Sequence, residues 1–238
     1  MSIIQMPNRL FHTAVSAPRF NKYLNACNNN KRKAHKLYRA NLALSEKLYS
    51  VIGIFEVILR NSIDRHFKNI YGDTWLEDAA SPGGYLDISS GCEGSFHSIH
   101  EAIHNLSSKY THDRLVAKLS FGFWVFQFAS KDYAASGSNL LNIFINRPSG
   151  IRQKDIFKKL VKIKELRNRI AHYEPICFNN KTGGISTEHT SQCYHTIIQL
   201  LEWLGCNASK ILYGIDGVKK KTGEIDALRT YSSEPVRL

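Results

Sequence analysis

Apolar residues recur at three- and four-residue spacing along most of this chain. Leu37, Leu44, Leu48, Val51, Ile52, Phe55, Leu59 and Ile63 form one broad stripe within 31–71, the longest helical stretch. The stripe predicts two helices, or one helix kinked near Gly53, ended by Gly72-Asp73-Thr74. Ahead of it, Ser16 as a cap and Pro18 in the first turn predict a helix start before Tyr23 and Leu24, and Asn28-Asn29-Asn30 predicts a turn. Downstream, helical spacing marks 96–110, 114–119, 139–145, 152–174 and 188–205, with Ile197, Leu200, Leu201 and Leu204 facing inward. A last turn is expected at 208–213. The aromatic run 121–128 reads as buried core, with stacking on bases as the minor alternative. Ser81-Pro82-Gly83-Gly84, Gly91 and Gly94 make 77–95 a long loop with none of the spacing of a phosphate-cradling loop. The first fifteen residues carry no pattern, and Lys219-Lys220-Lys221 predicts a basic, flexible tail over 216–238. Two-residue alternation is scarce and no fixed-period repeat is visible. The expectation is an all-α fold: a single helical bundle over 1–215 with extra helices and room for short strands.

One stripe contains an anomaly. Within 152–174, Ile156, Leu160, Ile163 and Ile170 keep helical spacing, and Arg167 falls between the last two. A guanidinium in that position snorkels out, pairs with a carboxylate, or faces an interface where an anion arrives. The surrounding run is Glu165-Leu-Arg-Asn-Arg-Ile-Ala-His-Tyr-Glu-Pro175. Pro175 disfavours helix at Glu174 and marks the stop. With about 100° per residue, Asn168 and His172 lie about 40° apart and face the same way, whereas Arg167 lies about 140° from His172. One helix does not readily aim Arg167 and His172 at a single atom.

Charge narrows the choice of partner. The 152–174 stretch carries Arg152, Lys154, Lys158, Lys159, Lys162, Lys164, Arg167 and Arg169 against Asp155, Glu165 and Glu174. The whole 238-residue chain has 32 Lys and Arg against 20 Asp and Glu, a formal charge of +12 and a pI near 9.5. Such an excess points to nucleic acid, with solubility as the alternative. The basic opening of the long stretch (Lys31, Arg32, Lys33, Lys36, Arg39) reads either as a solvated face or as an RNA contact. Five scattered cysteines, an odd number with no C-x-x-C pair, argue against a disulfide framework or zinc knuckle and for a reducing compartment. Ten histidines form no metal-ligand pattern. No apolar leader and no run of about 18 apolar residues is present, so the chain is expected to be cytoplasmic and without a membrane span.

Leu166-Arg167-Asn168 has an earlier echo in Leu59-Arg60-Asn61. Glu56 and Asp64 each lie four residues from Arg60, so Arg60 either forms an ion pair on the helix surface or supports a site. Arginine followed at short range by histidine is weak alone: roughly one arginine in eight would match by chance, and Arg60 with His66 does. The company of Asn168, a basic helix and the Glu-Pro stop raises the 167–172 match above that level.

Arg167-Asn-Arg-Ile-Ala-His-Tyr-Glu-Pro-Ile176 resembles the signature of the Abi-like (abortive infection) proteins of the HEPN superfamily. The likeness extends to Ser16-Ala-Pro-Arg-Phe20, Leu37-Tyr38, Phe55-Glu-Val-Ile-Leu-Arg-Asn-Ser-Ile-Asp64, Tyr71-Gly-Asp-Thr-Trp75 and Leu119-Ser-Phe-Gly-Phe-Trp124, and so spans about 16–205. The resemblance implies an all-α fold and, in active members, cleavage of RNA without metal or other cofactor. It also implies a homodimer in which two motif copies build one site. By position, Arg167, Asn168 and His172 match the catalytic motif, and Glu56, Arg60 and Asn61 match its upstream segment. Lys158, Lys162, Arg169, Lys31, Arg32 and Lys33 are candidates for RNA contact. The resemblance leaves room for a non-catalytic RNA-binding or small-RNA-scaffolded protein, and for an antitoxin or inhibitor as a further partner.

Overall fold

The computed structural model describes residues 14–230. Among them the chain is all-α: α1 (Ala17–Ala26), α2 (Lys31–Tyr71), α3 (Trp75–Ala79), α4 (Glu93–Leu106), α5 (His112–Lys118), α6 (Phe121–Phe126), α7 (Ser130–Ala135), α8 (Gln153–Ala171), α9 (Glu188–Trp203), α10 (Ala208–Ile211) and α11 (Val218–Thr230). No strand forms among the described residues; one isolated antiparallel bridge joins Phe178 and Ile185.

The 41-residue α2 does not break at Gly53. At 1.5 Å per residue it is about 60 Å long. Glycine weakens a helix by losing more backbone freedom on folding than other residues do. Here Val51, Ile52 and Phe55 are fully buried around it, and their packing outweighs that loss.

Contacts group the described chain into two compact units. The first takes 14–49, 169–194 and 215–230; the second takes Ser50–Asn168 and His195–Gly214. The expected single bundle gives no hint of this division. Three of the four junctions fall inside α2, α8 and α9, where no linker composition marks them.

In the first unit, the Tyr23 ring meets Phe178 edge-on at 5.1 Å, and Asn41 is buried among the apolar residues of α2. Asn41 Oδ1 accepts from the Ile176 backbone N–H at 2.9 Å, and the Ile176 carbonyl accepts from Thr190 Oγ1 at 2.7 Å. Both backbone groups of Ile176 are thereby satisfied away from water. Ser16 sits at the cap of α1 with φ of 69°, yet its side chain makes no capping bond.

The expected flexible tail is corrected over 218–230, which form α11. Val218, Thr222, Ile225 and Leu228 are buried at helical spacing, and Thr187 Oγ1 donates to the Asp226 carboxylate at 2.9 Å. The lysine run hides this stripe, because its charges lie between the apolar positions rather than on them. Residues 231–238, like the patternless 1–13, lie outside the described residues.

The second unit is built on the rest of α2. Asp64, 8% exposed, accepts from Trp75 Nε1 at 2.8 Å and His112 Nε2 at 2.7 Å, and pairs with Lys68 Nζ at 3.0 Å. The stretch expected as a loop over 77–95 holds the end of α3, a 3₁₀ turn at Ile88–Ser90 and the start of α4. Its tightest point is Gly84, where any Cβ would lie 2.3 Å from the Asp78 carbonyl oxygen. The aromatic run is mainly core: Phe121, Phe123, Trp124, Val125 and Phe128 are buried, but Phe126 is 44% exposed.

Candidate functional site

Helix α8 buries Ile156, Leu160, Ile163, Leu166 and Ile170. The stripe is therefore real, and Arg167 sits at its margin. Its side chain is 32% exposed, and its Nε lies 4.0 Å from Glu56 Oε2. Glu56 is itself only 19% exposed at the side chain. Burial pushes the Glu56 carboxyl above its ordinary range, and the Arg167 and Arg60 guanidiniums pull it part of the way back. Neither the Arg60 nor the Arg167 Nε–H has a hydrogen-bond acceptor, although both nitrogens are buried. Arg167 thus pairs with a single carboxylate whose charge Arg60 also feels from further away, leaving excess positive charge and two unanswered donors.

This arrangement revises the reading of Arg60 as a surface ion pair. Asp64 is taken by Trp75, His112 and Lys68, and Arg60 makes no ion pair within 4.0 Å among the described residues. Asn61 is exposed. His66, the chance match to the motif spacing, is engaged with Asn139 Oδ1 at 2.7 Å.

The division between the units falls after Asn168, so the motif is described in two halves. On the second unit's side, Asn168 is exposed beside the half-buried Arg167. On the first unit's side, helix α8 stops at Ala171, three residues short of the expected end at Glu174. His172 caps it and Tyr173 takes the left-handed conformation with φ of 56°. The Glu174 N–H reaches the Arg169 carbonyl at 2.8 Å, and the Tyr173 N–H reaches that of Ile170 at 3.0 Å. These two bonds form a Schellman motif, normally built on glycine. Pro175 follows the stop but does not itself cause it. His172 and Tyr173 are left exposed, and neither the Asn168 nor the His172 side chain hydrogen-bonds to another described residue.

Arg169, a candidate for RNA contact, is committed to the turn instead. Its guanidinium donates to the Pro175 carbonyl at 2.5 Å and the Asn180 side chain at 3.4 Å, and its Nε lies 3.5 Å from Glu174. Lys158 and Lys162 are exposed on α8, and Lys31 and Arg32 are exposed at the start of α2. Lys33 is half-buried, and its backbone N–H is capped by Asn30 Oδ1 at 3.0 Å. The first turn of α2 holds no acidic residue, so three cations face the positive end of a helix dipole.

A second polar group was not foreseen from sequence. Ser95, Gln127 and Asp132 meet beside a cavity of about 410 Å³ in the second unit. Their positions fall in the first turn of α4, in the aromatic run and in the short helix α7, and no spacing rule links them. Among the described residues no cluster of His, Cys, Asp and Glu is arranged to hold a metal ion, and no helix is long and apolar enough to cross a membrane.

Comparisons with protein-family models, with curated proteins and with solved structures return no match for this chain. What the fold and site define is an all-α protein with an arginine-rich, partly buried cluster on α2 and α8.

Proposed function

We propose that this chain is a metal-independent endoribonuclease of the Abi-like HEPN type, acting in an abortive-infection or toxin-type defence system. The observation that carries the reading is Arg167. It opens an Arg-Asn-x-x-x-His run on a basic helix, and its buried Nε–H lacks an acceptor beside Glu56 and Arg60. An anionic oxygen would answer such a donor, and a phosphodiester carries two.

The chemistry follows from the residue types. The ribose 2′-oxygen attacks the adjacent phosphorus, the 5′-oxygen leaves, and a 2′,3′-cyclic phosphate remains. His172, exposed at the helix end, moves a proton between these oxygens near neutral pH. Arg167 stabilises the charge that builds on the phosphoryl oxygens. Asn168, on the same helix face as His172, orients the imidazole or donates to phosphate. Arg60 and Glu56 set the position of Arg167. Because Arg167 and His172 diverge on one helix, the site is composite in a homodimer, with Arg167 from one protomer and His172 from its partner.

The test is cleavage of single-stranded RNA in EDTA by the wild type, His172→Ala and Arg167→Ala. Loss in both variants is expected; equal activity in all three sinks the proposal. A non-catalytic RNA-binding or small-RNA-scaffolded protein is the second reading, favoured by Lys31, Arg32 and Lys33 at the electrostatically adverse start of α2. Such a protein would hold RNA with steep salt dependence and yield no products. Either reading leaves a place for an antitoxin or inhibitor as a further partner.

A further inference from the structure

The cavity in the second unit is lined by Ser95 and Asp132 on its polar side and by Phe123 and Phe126 on its apolar side. Its volume of about 410 Å³ falls within the range of small-molecule sites, about 300–1,000 Å³. The polar side has an excess of acceptors. Asp132 is 7% exposed, with Ser95 Oγ donating to Oδ2. Behind Ser95, the fully buried Gln127 donates Nε2 to Ser95 Oγ at 3.4 Å, and its Oε1 has no donor at all. Burial pushes the Asp132 carboxyl above its ordinary range, so it gains from any ligand that brings N–H groups. Cations stand at the rim. Lys164 Nζ lies 4.9 Å from the Phe126 ring centroid, and Lys131 Nζ lies within 3.5 Å of a Cβ built at Gly91.

A planar ligand with two adjacent N–H donors fits these demands. We propose that this cavity binds a guanine base, its N1–H and 2-amino edge donating to Asp132 and its ring laid against Phe123 and Phe126. Carboxylate readout of a Watson–Crick edge combined with aromatic packing is how splayed bases are held. Lys164 and Lys131 supply charge for the attached phosphate. The base comes either from a free nucleotide or from a guanosine within single-stranded RNA. The proposal concerns binding and does not rest on RNA cleavage.

Calorimetry on the full chain tests it with guanosine, inosine and adenosine 5′-monophosphates. Saturable 1:1 binding of the guanosine nucleotide is expected. Inosine, which lacks the 2-amino group, and adenosine should bind at least about tenfold more weakly. Asp132→Asn should lose about the same factor. Gly94→Leu fills the cavity from the first turn of α4, where a new Cβ meets nothing within 4 Å, and should abolish binding while keeping the helical circular dichroism. Competition by a short RNA with one guanosine, but not by one lacking guanosine, assigns the RNA source; its failure while the mononucleotide binds assigns the free one. No saturable binding of the guanosine nucleotide, equal binding of the three nucleotides, or binding retained in folded Gly94→Leu overturns the proposal.

Discussion

Asp64→Asn isolates the strongest polar anchor in the second unit. The substitution preserves shape but removes the charge that Lys68 Nζ and His112 Nε2 approach at 3.0 and 2.7 Å. Burial alone would push the Asp64 carboxyl up; hydrogen bonds from His112, Trp75 and Lys68 outweigh it and hold the group at about 2 against an ordinary 3.8. At 1.36 kcal/mol per pH unit, that depression corresponds to about 2 kcal/mol of folding stability at neutral pH. A carboxyl depressed in the folded state contributes its stability above its unfolded value. The contribution is therefore full above about pH 4 and is lost as pH falls toward 2. For a chain of this size, about 2 kcal/mol should lower the melting temperature by about 4–8 °C at pH 7. The assay is thermal unfolding of wild type and Asp64→Asn between pH 7 and pH 2.5. The gap between them should narrow as the pH drops, because protonation removes from the wild type what the mutation has already removed. A variant that melts within 1 °C of wild type at pH 7, or a gap that widens in acid, refutes the reasoning.

Three further outcomes are expected. Tyr173→Gly relieves a left-handed residue whose side chain is 71% exposed, so it should raise stability by about 1 kcal/mol in denaturant titration. Gly84→Ala places a Cβ against the Asp78 and Ala79 carbonyls and should cost about 1–3 kcal/mol by the same measurement. The double change Lys31→Ala and Arg32→Ala should flatten the salt dependence of single-stranded RNA binding, by about 0.7 in the log–log slope for each phosphate contact removed.

Much of the all-α fold is legible because its helices bury long, largely apolar stripes: Leu37 through Ile63 on α2, and Ile156 through Ile170 on α8. Helix ends are less so. The stop at Ala171 depends on Tyr173 adopting a conformation that sequence rules reserve for glycine, and Pro175 diverts attention from it. Helix α11 escapes notice because three consecutive lysines dominate a stripe only four residues deep. Arg167 stands out as a charge in an apolar stripe, and its neighbour Glu56 is recognisable from the helical echo at Arg60. The fate of Arg169 is not, since its partners Glu174, Pro175 and Asn180 are placed only once the chain has turned back. The Ser95–Asp132–Gln127 group is invisible for the same reason: three unrelated segments converge through packing alone.

The proposed composite site makes a quantitative demand that no single-chain mechanism shares. Arg167→Ala and His172→Ala protomers, each inactive alone, are mixed, allowed to exchange subunits, and assayed for RNA cleavage in EDTA. Two-fold symmetry gives a wild-type dimer two Arg167–His172 pairings across its composite site; half of the exchanged dimers are mixed, and each of these keeps one pairing intact. The account predicts that roughly a quarter of wild-type activity returns. A mixture that stays as inactive as its components would contradict it.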